Sequence, residues 1–190
     1  MRAAVFHEAG QPLTIETIPD PVPAGDEVVI AVHGAGICGS DLHITQHAGI
    51  TRPGTVLGHE FAGTIAALGP GVTGGWKVGD RVTALPLFPC CACEACDAHM
   101  PNLCAHGNWA GVTPERPGAY AEYVIARGSL LQAVPAGIAD AEAAMIEPLA
   151  VGHHTVARAQ IRPGEAVLII GGGPIGAAAA LFARAAGARH

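Results

Sequence analysis

The chain has 190 residues, half of them hydrophobic, and a formal net charge of −6. That is ample apolar material for a core, in one domain or two small ones, and it excludes a disordered tail. A single lysine, Lys77, and arginines scattered singly leave no basic stripe for nucleic acid, and runs such as "AVLII" at 166–170 are too short to span a bilayer.

The opening "MRAAVFHEAG" has one arginine and no apolar run behind it, so it does not read as a signal peptide and points to the cytoplasm. Up to about residue 135, short β-branched runs follow one another: "AAVFHE", "LTIETI", "EVVIAVHGAGI", "FAGTIAALG", "DRVTAL", "AEYVIA" and "LLQAVP". Gly, Pro and Asp turns separate them, the pattern of a small barrel or sandwich.

Two groups of metal-ligand residues interrupt these strands. The first is dispersed: Cys38 in "GAGICGSDLH", His59 and Glu60 in "LGHEFAG", and Glu147 in "MIEPLAVGHH". A catalytic zinc takes three protein ligands and keeps one position open, which a cysteine, a histidine and a carboxylate would supply. Neighbouring residues on an extended chain face opposite ways, so His59 and Glu60 can ligate together only where the backbone bends. Cys38 and His59 therefore rank first, with Glu60 and Glu147 competing for the third place. Each also has a plainer reading, as an inert core cysteine, a hydrogen-bonded histidine or a solvated glutamate.

The second group is compact, because "LFPCCACEACDAHMPNLC", residues 87–104, holds five of the six cysteines. Thiols in the cytoplasm are kept reduced, which favours a metal site over disulfide bridges. Cys90, Cys93, Cys96 and Cys104 are spaced C-x2-C-x2-C-x7-C, so one loop can present four sulfurs to one point, as a closed structural zinc site requires. An iron–sulfur cluster and a redox pair are the competing uses of such spacing. Cys91 falls out of rhythm and stands as a spectator.

From Asp140 the texture changes. "DAEAAMIEPLAVGHHTVARAQ" has helical composition, with Asp140 as the N-cap and an interruption near Pro148. "RPGEAVLIIGGGPIGAAAALFARAAGA" predicts a turn, an apolar strand, a glycine turn and an Ala-rich helix, which puts the domain boundary between 137 and 155. Gly171, Gly173 and Gly176 form G-x-G-x-x-G between that strand and helix, the context in which the pattern marks a dinucleotide site rather than an ordinary turn. The first glycine permits the turn, the second lets backbone approach the pyrophosphate, and the third lets helix pack on strand. The helix N-terminus then faces the phosphates.

Taken together, "GICGSDLH", "LGHEFAGTI", "VGDRV", the cysteine quartet, "EPLAV" and "GGGPIG" stand in the order and rough spacing of the zinc-dependent medium-chain alcohol dehydrogenases, which the whole chain resembles. The nearer likeness is to the polyol branch, the sorbitol and 2,3-butanediol dehydrogenases, because "EPLAV" puts Glu147 where other alcohol dehydrogenases carry a third ligand cysteine. The resemblance implies a mixed β and α/β fold: a GroES-like β-barrel catalytic domain over 1–145, containing the structural zinc loop 90–104, then the start of a Rossmann domain over 146–190. The active site would lie in the cleft between them.

Further implications concern the site. The resemblance implies two zinc ions per chain, the catalytic one on Cys38 and His59, with Glu60 as ligand or exchangeable neighbour and Glu147 ligating directly or through water. It implies NAD or NADP at Gly171, Gly173, Pro174, Ile175 and Gly176, and a proton path through the Ser40 hydroxyl, the cofactor ribose and His43. Asp41 would orient a ligand histidine by accepting its other N–H, or cap a helix, or both. The implied reaction interconverts a small secondary alcohol, diol or polyol with its ketone by hydride transfer. The enzyme would be cytoplasmic, a dimer or tetramer at full length, and would use neither nucleic acid nor membrane.

The chain departs from the family in length, since family members run to nearly twice its size. It stops at "GARH", before the acidic residue that would separate NAD from NADP. A lone βα unit cannot cover both faces of its strand, so a sticky surface is expected. The expectation is the N-terminal part of a longer enzyme or a truncated product, and the rival is a zinc-stapled GroES-like binding or assembly module without catalysis. Threonine dehydrogenase shares the zinc motifs, although "EPLAV" leans away from it. A zinc-free quinone reductase is disfavoured by the intact Cys38, His59 and cysteine quartet.

Overall fold

A computed structural model describes residues 1–190. The chain divides into two compact units, Met1–Ala144 and Met145–His190. The first unit runs β1 (Arg2–Phe6), β2 (Thr14–Thr17), β3 (Glu27–Ala35), α1 (Gly39–Gln46), β4 (Thr55–Val56), β5 (Phe61–Leu68), β6 (Arg81–Ala84), β7 (Leu87–Phe88), α2 (Glu94–Asp97), β8 (Asn108–Trp109), β9 (Tyr123–Arg127), β10 (Leu131–Ala133) and α3 (Asp140–Ala144). Each of the seven predicted runs carries a strand, because alternation of apolar and polar residues suits a half-buried pleat.

These strands do not close into the expected barrel. They form a three-stranded sheet in the order β2-β1-β4, a five-stranded sheet β10-β6-β5-β3-β9 and the pair β7-β8. Closure needs a continuous hydrogen-bonded circuit, and the edge strands β9 and β10 are not paired with each other. The three-stranded sheet reaches the large one through an isolated bridge, Ala3 to Ala121. Strand β3 lies inside the large sheet, antiparallel to both β5 and β9. Its inward residues Val28 and Ile30 are fully buried with Phe61, Ile65, Val82 and Val124. Its pairing with β5 shifts register at Val29/Ile30 and Val32/Gly34 and continues to Ala35 opposite Phe61, so β3 carries the chain to α1 from beside the start of β5.

Helix α3 starts one residue away from the expected cap. Glu142 accepts the Ala139 N–H at 2.8 Å, while the Asp140 carboxylate, inside the helix, takes Arg81 at 2.7 Å. The predicted interruption falls at Met145, between α3 and α4 (Ile146–Ala159). Pro148 has no N–H to give the carbonyl four residues back, that of Ala144.

In the second unit α4 is followed by α5 (Pro174–Ala185), and Val156, Ala179 and Ala183 form a small core with Val167, Ile169 and Phe182. The predicted strand at 166–170 does not form. A strand is defined by its ladder, and this segment has only the bonds Arg189 N–H to Glu165 and Val167 N–H to His190 beside it, each 2.8 Å. Its alternation persists nonetheless: Val167 and Ile169 turn to the helices, while Leu168 and Ile170 are 85% and 92% exposed. No helix in either unit is long and apolar enough to cross a membrane.

Because Ile30 is wholly buried inside the large sheet, Ile30→Ala is expected to destabilise the first unit by about 2–5 kcal/mol, read from a shifted urea midpoint at unchanged slope.

Candidate functional site

Three of the four dispersed ligand residues, Cys38, His59 and Glu60, converge in the first unit. Cys38 ends the loop after β3 and is the N-cap of α1, while His59 and Glu60 lie between β4 and β5. The two segments are tied by the Gly36 N–H donating to the Glu60 carbonyl at 2.8 Å. Gly58 supplies the bend that an extended chain lacks: its φ is +97°, a conformation that other residues adopt only with strain. As a result, one ligand atom from each of Cys38, His59 and Glu60 lies within 4.8 Å of the others. Gly36 leaves the room this requires, since a Cβ there would stand 2.1 Å from Glu60 Oε2.

Behind these three residues is Asp41, only 2% exposed. Its Oδ2 accepts the Cys38 N–H at 2.9 Å and the Tyr120 hydroxyl at 2.8 Å. Its Oδ1 faces His59 Nδ1 at 3.5 Å, and both of these buried atoms lack any other hydrogen-bond partner. Asp41 is therefore at the third position of α1, not at its N-cap, and its carboxylate reaches back to the N-cap N–H. The pairing directs His59 Nδ1–H at the carboxylate and leaves Nε2 for a ligand bond.

The charges follow from this packing. The Asp41 carboxylate raises the His59 imidazole to about 9 against the opposing pull of burial, with Cys38 adding to the rise. Burial pushes the Asp41 carboxyl up, yet the bonds from His59, Tyr120 and the Cys38 N–H outweigh it and hold the group below its usual value. Burial, and then the Asp41 charge, drive the Tyr120 phenol well above its ordinary range, so it is a permanent donor. A thiol, an imidazole and a carboxylate with a carboxylate-backed histidine fit a zinc ion with an open position.

The cysteine quartet forms a second cluster, with Sγ atoms of Cys90, Cys93, Cys96 and Cys104 all within 4.8 Å of one another. Cys93 stands 3.6 Å from Cys96 and 3.8 Å from Cys104, and Cys90 stands 4.0 Å from Cys96. A tetrahedron with zinc–sulfur bonds of about 2.3 Å has edges of about 3.8 Å, so the quartet fits a structural zinc. No pair is bonded as a disulfide. The Cys96 N–H pulls the Cys93 thiol down to about 6, whereas partial burial and the neighbouring sulfurs push Cys96 up to about 11. Cys91 adopts a φ of +56° and turns its sulfur to Arg127 at 3.5 Å, away from the quartet.

Ser40 and His43 lie three residues apart on α1, which puts them on one face, and both are exposed. His43 stacks on His47 with ring centroids 4.2 Å apart. Glu147 belongs to the second unit, in the first turn of α4.

Also in the second unit, Gly171 has a φ of +104° and Gly173 caps α5, with Pro174 at its first position and Ile175 and Gly176 following. A side chain at Gly173 would meet nothing within 4 Å, so protein packing does not require that glycine, and the space stands open in front of the helix N-terminus. At Gly176 a Cβ would lie 1.9 Å from the Gly171 carbonyl oxygen, so there the close packing of helix and turn does require it. The first-turn N–H groups of α5 have no partner within the helix and suit a phosphate.

Sequence reasoning missed Tyr120 and Gly36. Nothing in "GAYAEY" distinguishes a strand-edge aromatic from one that reaches a buried carboxylate. Gly58, directly before His59, was a readable signal for the bend that lets His59 and Glu60 face the same point.

Residues 24–136 match the family described as the alcohol dehydrogenase GroES-like domain. The sorbitol dehydrogenase of Halalkalibacterium halodurans is 43% identical over 175 residues, which cover 91% of this chain and 50% of that protein. The L-threonine 3-dehydrogenase of Stenotrophomonas maltophilia is 38% identical over 196 residues, covering 100% of this chain and 56% of that protein. Among solved structures, a zinc-binding dehydrogenase of Sinorhizobium meliloti 1021 bound to NADP superposes with a TM-score of 0.89 at 32% identity, over 99% of this chain and 54% of its own. The chain thus spans about half the length of the curated relatives it matches.

Elemental analysis of purified protein is expected to find two zinc ions per chain, falling to one in Cys38→Ser and, independently, to one in Cys104→Ser. A Cys38→Ser variant that kept both ions would remove the dispersed site.

Proposed function

We propose that this chain, which belongs to the family of zinc-dependent medium-chain alcohol dehydrogenases, carries the metal and phosphate sites of an oxidoreductase that interconverts a secondary alcohol, diol or polyol with its ketone, using NAD or NADP. The observation that carries the reading is the meeting of Cys38, His59 and Glu60 in front of the buried Asp41. Bound there, zinc supplies Lewis acidity towards the substrate oxygen, and the dinucleotide supplies the hydride acceptor.

The chain's own residues do the rest. Cys38, His59 and Glu60 hold the metal, with Glu147 as a ligand directly or through water. Asp41 fixes the His59 ring. Ser40 takes the substrate's proton and His43 delivers it to water. Gly171, Gly173, Pro174, Ile175 and Gly176 let the backbone approach the pyrophosphate, and the quartet Cys90, Cys93, Cys96 and Cys104 keeps its loop folded around a structural zinc. The polyol preference is supported by the sorbitol dehydrogenase relative, and a cytoplasmic location belongs to the same reading. Action on small molecules without nucleic acid or membrane, as a dimer or tetramer at full length, belongs to the same proposal.

Threonine oxidation is the second reading, supported by the threonine dehydrogenase relative. A zinc-stapled binding module without catalysis is the third, supported by the match of residues 24–136 to the GroES-like domain and by the four gathered sulfurs of the quartet. Nicotinamide reduction, followed by absorbance with sorbitol, 2,3-butanediol and threonine, separates them. Polyol-dependent reduction that falls about 10²-fold in His43→Gln, and is abolished in Cys38→Ser, is the expected result. Preference for threonine would favour the second reading, and failure to bind either dinucleotide the third.

A further inference from the structure

Tyr120 touches both segments that carry the dispersed ligands. Its backbone N–H donates to the Leu57 carbonyl at 2.9 Å, and the neighbouring Ala119 N–H to the Gly58 carbonyl at 2.8 Å. Its ring fills the space beside Gly58, where a Cβ would stand 2.6 Å from Tyr120 Cδ1. The backbone before β9 and the ring thus fix the residues that lead directly into His59.

The hydroxyl reaches the other segment. It lies 2.8 Å from Asp41 Oδ2 and 3.1 Å from the Gly36 carbonyl oxygen. A phenol has one proton to donate, and the shorter contact is to the charged acceptor, which makes the stronger bond. With the Cys38 N–H already on the same oxygen, two donors from different directions fix the plane of the carboxylate. Oδ1 is then left free, buried, and aimed at His59 Nδ1.

We infer that Tyr120 is a positioning residue of the Cys38–His59–Glu60 metal site, its hydroxyl fixing Asp41 so that Asp41 in turn fixes the His59 ring. The inference rests on the metal site proposed above. It assigns to a residue three steps removed from the ion a share of the ion's affinity, because a ligand ring that is free to rotate loses entropy on binding and a fixed one does not.

Tyr120→Phe tests it, since the change removes one oxygen and keeps the ring that packs on Gly58. Zinc affinity is measured by competition with a chromophoric chelator, in the wild-type chain, Tyr120→Phe, Asp41→Asn and the double variant. Occupancy of the cysteine quartet and the thermal midpoint serve as internal controls. The expected result is a roughly 10-fold or greater weakening at the dispersed site in Tyr120→Phe, with the quartet unchanged, and less than about a twofold further effect of Tyr120→Phe in the Asp41→Asn background. Equal affinity in Tyr120→Phe and the wild-type chain overturns the inference while leaving the site intact. Equal weakening of both metal sites overturns it as well, since the hydroxyl then acts on stability alone, and full retention of its effect in the Asp41→Asn background overturns the route through Asp41. A wild-type chain that binds zinc only at the quartet removes the proposed site and this inference with it.

Discussion

Taking a carboxylate out of water costs several kcal/mol unless its oxygens are met by donors, and Asp41, 2% exposed, draws those donors from three parts of the chain. The Cys38 N–H comes from the start of α1, the Tyr120 hydroxyl from the approach to β9, and His59 from the turn between β4 and β5. The first and third of these segments leave the ends of β3 and β5, which are paired as far as Ala35 and Phe61, and the second leads into β9, which pairs with β3. The sheet brings the segments together, and the buried carboxylate, with donors on Oδ2 and His59 Nδ1 facing Oδ1, fixes how the side chains of Cys38 and His59 meet beside Glu60.

The two cysteine-bearing sites are built on opposite plans. The quartet is local, with its ligands within one loop whose residues are exposed or only half-buried. Its geometry is set by turn conformations and the short helix α2. The dispersed site takes its geometry from strands β3, β4 and β5 and from the buried core beneath them, which makes it stiffer. A rigid platform suits a site that must hold an ion with a position left open, because the protein has to resist filling that position with a fourth side chain.

What could be read from the sequence divides along the same line. Every predicted strand of the first unit could be read because period-2 alternation is a local property. The quartet was legible for the same reason, its four sulfurs lying within one short loop. Which sheet each strand joins is not local, and the expected barrel opened into separate sheets because β9 and β10 were never bound to pair. Cys38 and His59 are named by their motifs, but the choice of Glu60 as their neighbour depends on the left-handed bend at Gly58. Tyr120 was out of reach, since its partner Asp41 lies 79 positions away. The run at 166–170 kept its alternation and lost its strand, showing that a periodic pattern fixes which side of a segment is apolar without supplying the neighbour that makes a ladder.

The pairing of β3 with β9 places Glu27 opposite Arg127, and the zinc loop lies between them in the chain. Closing so long a segment, about a hundred residues, costs about 4 kcal/mol of chain entropy by the logarithmic rule, and pinching off the loop with a metal would lower that by only about 0.1 kcal/mol. Shortening that segment with zinc in the quartet therefore does almost nothing for the pairing of β3 with β9. By chain entropy alone, the distant β3–β9 pairing costs much the same whether or not the loop is loaded. Whatever zinc contributes there comes from its bonds to the four sulfurs, and acts on the loop rather than on the large sheet.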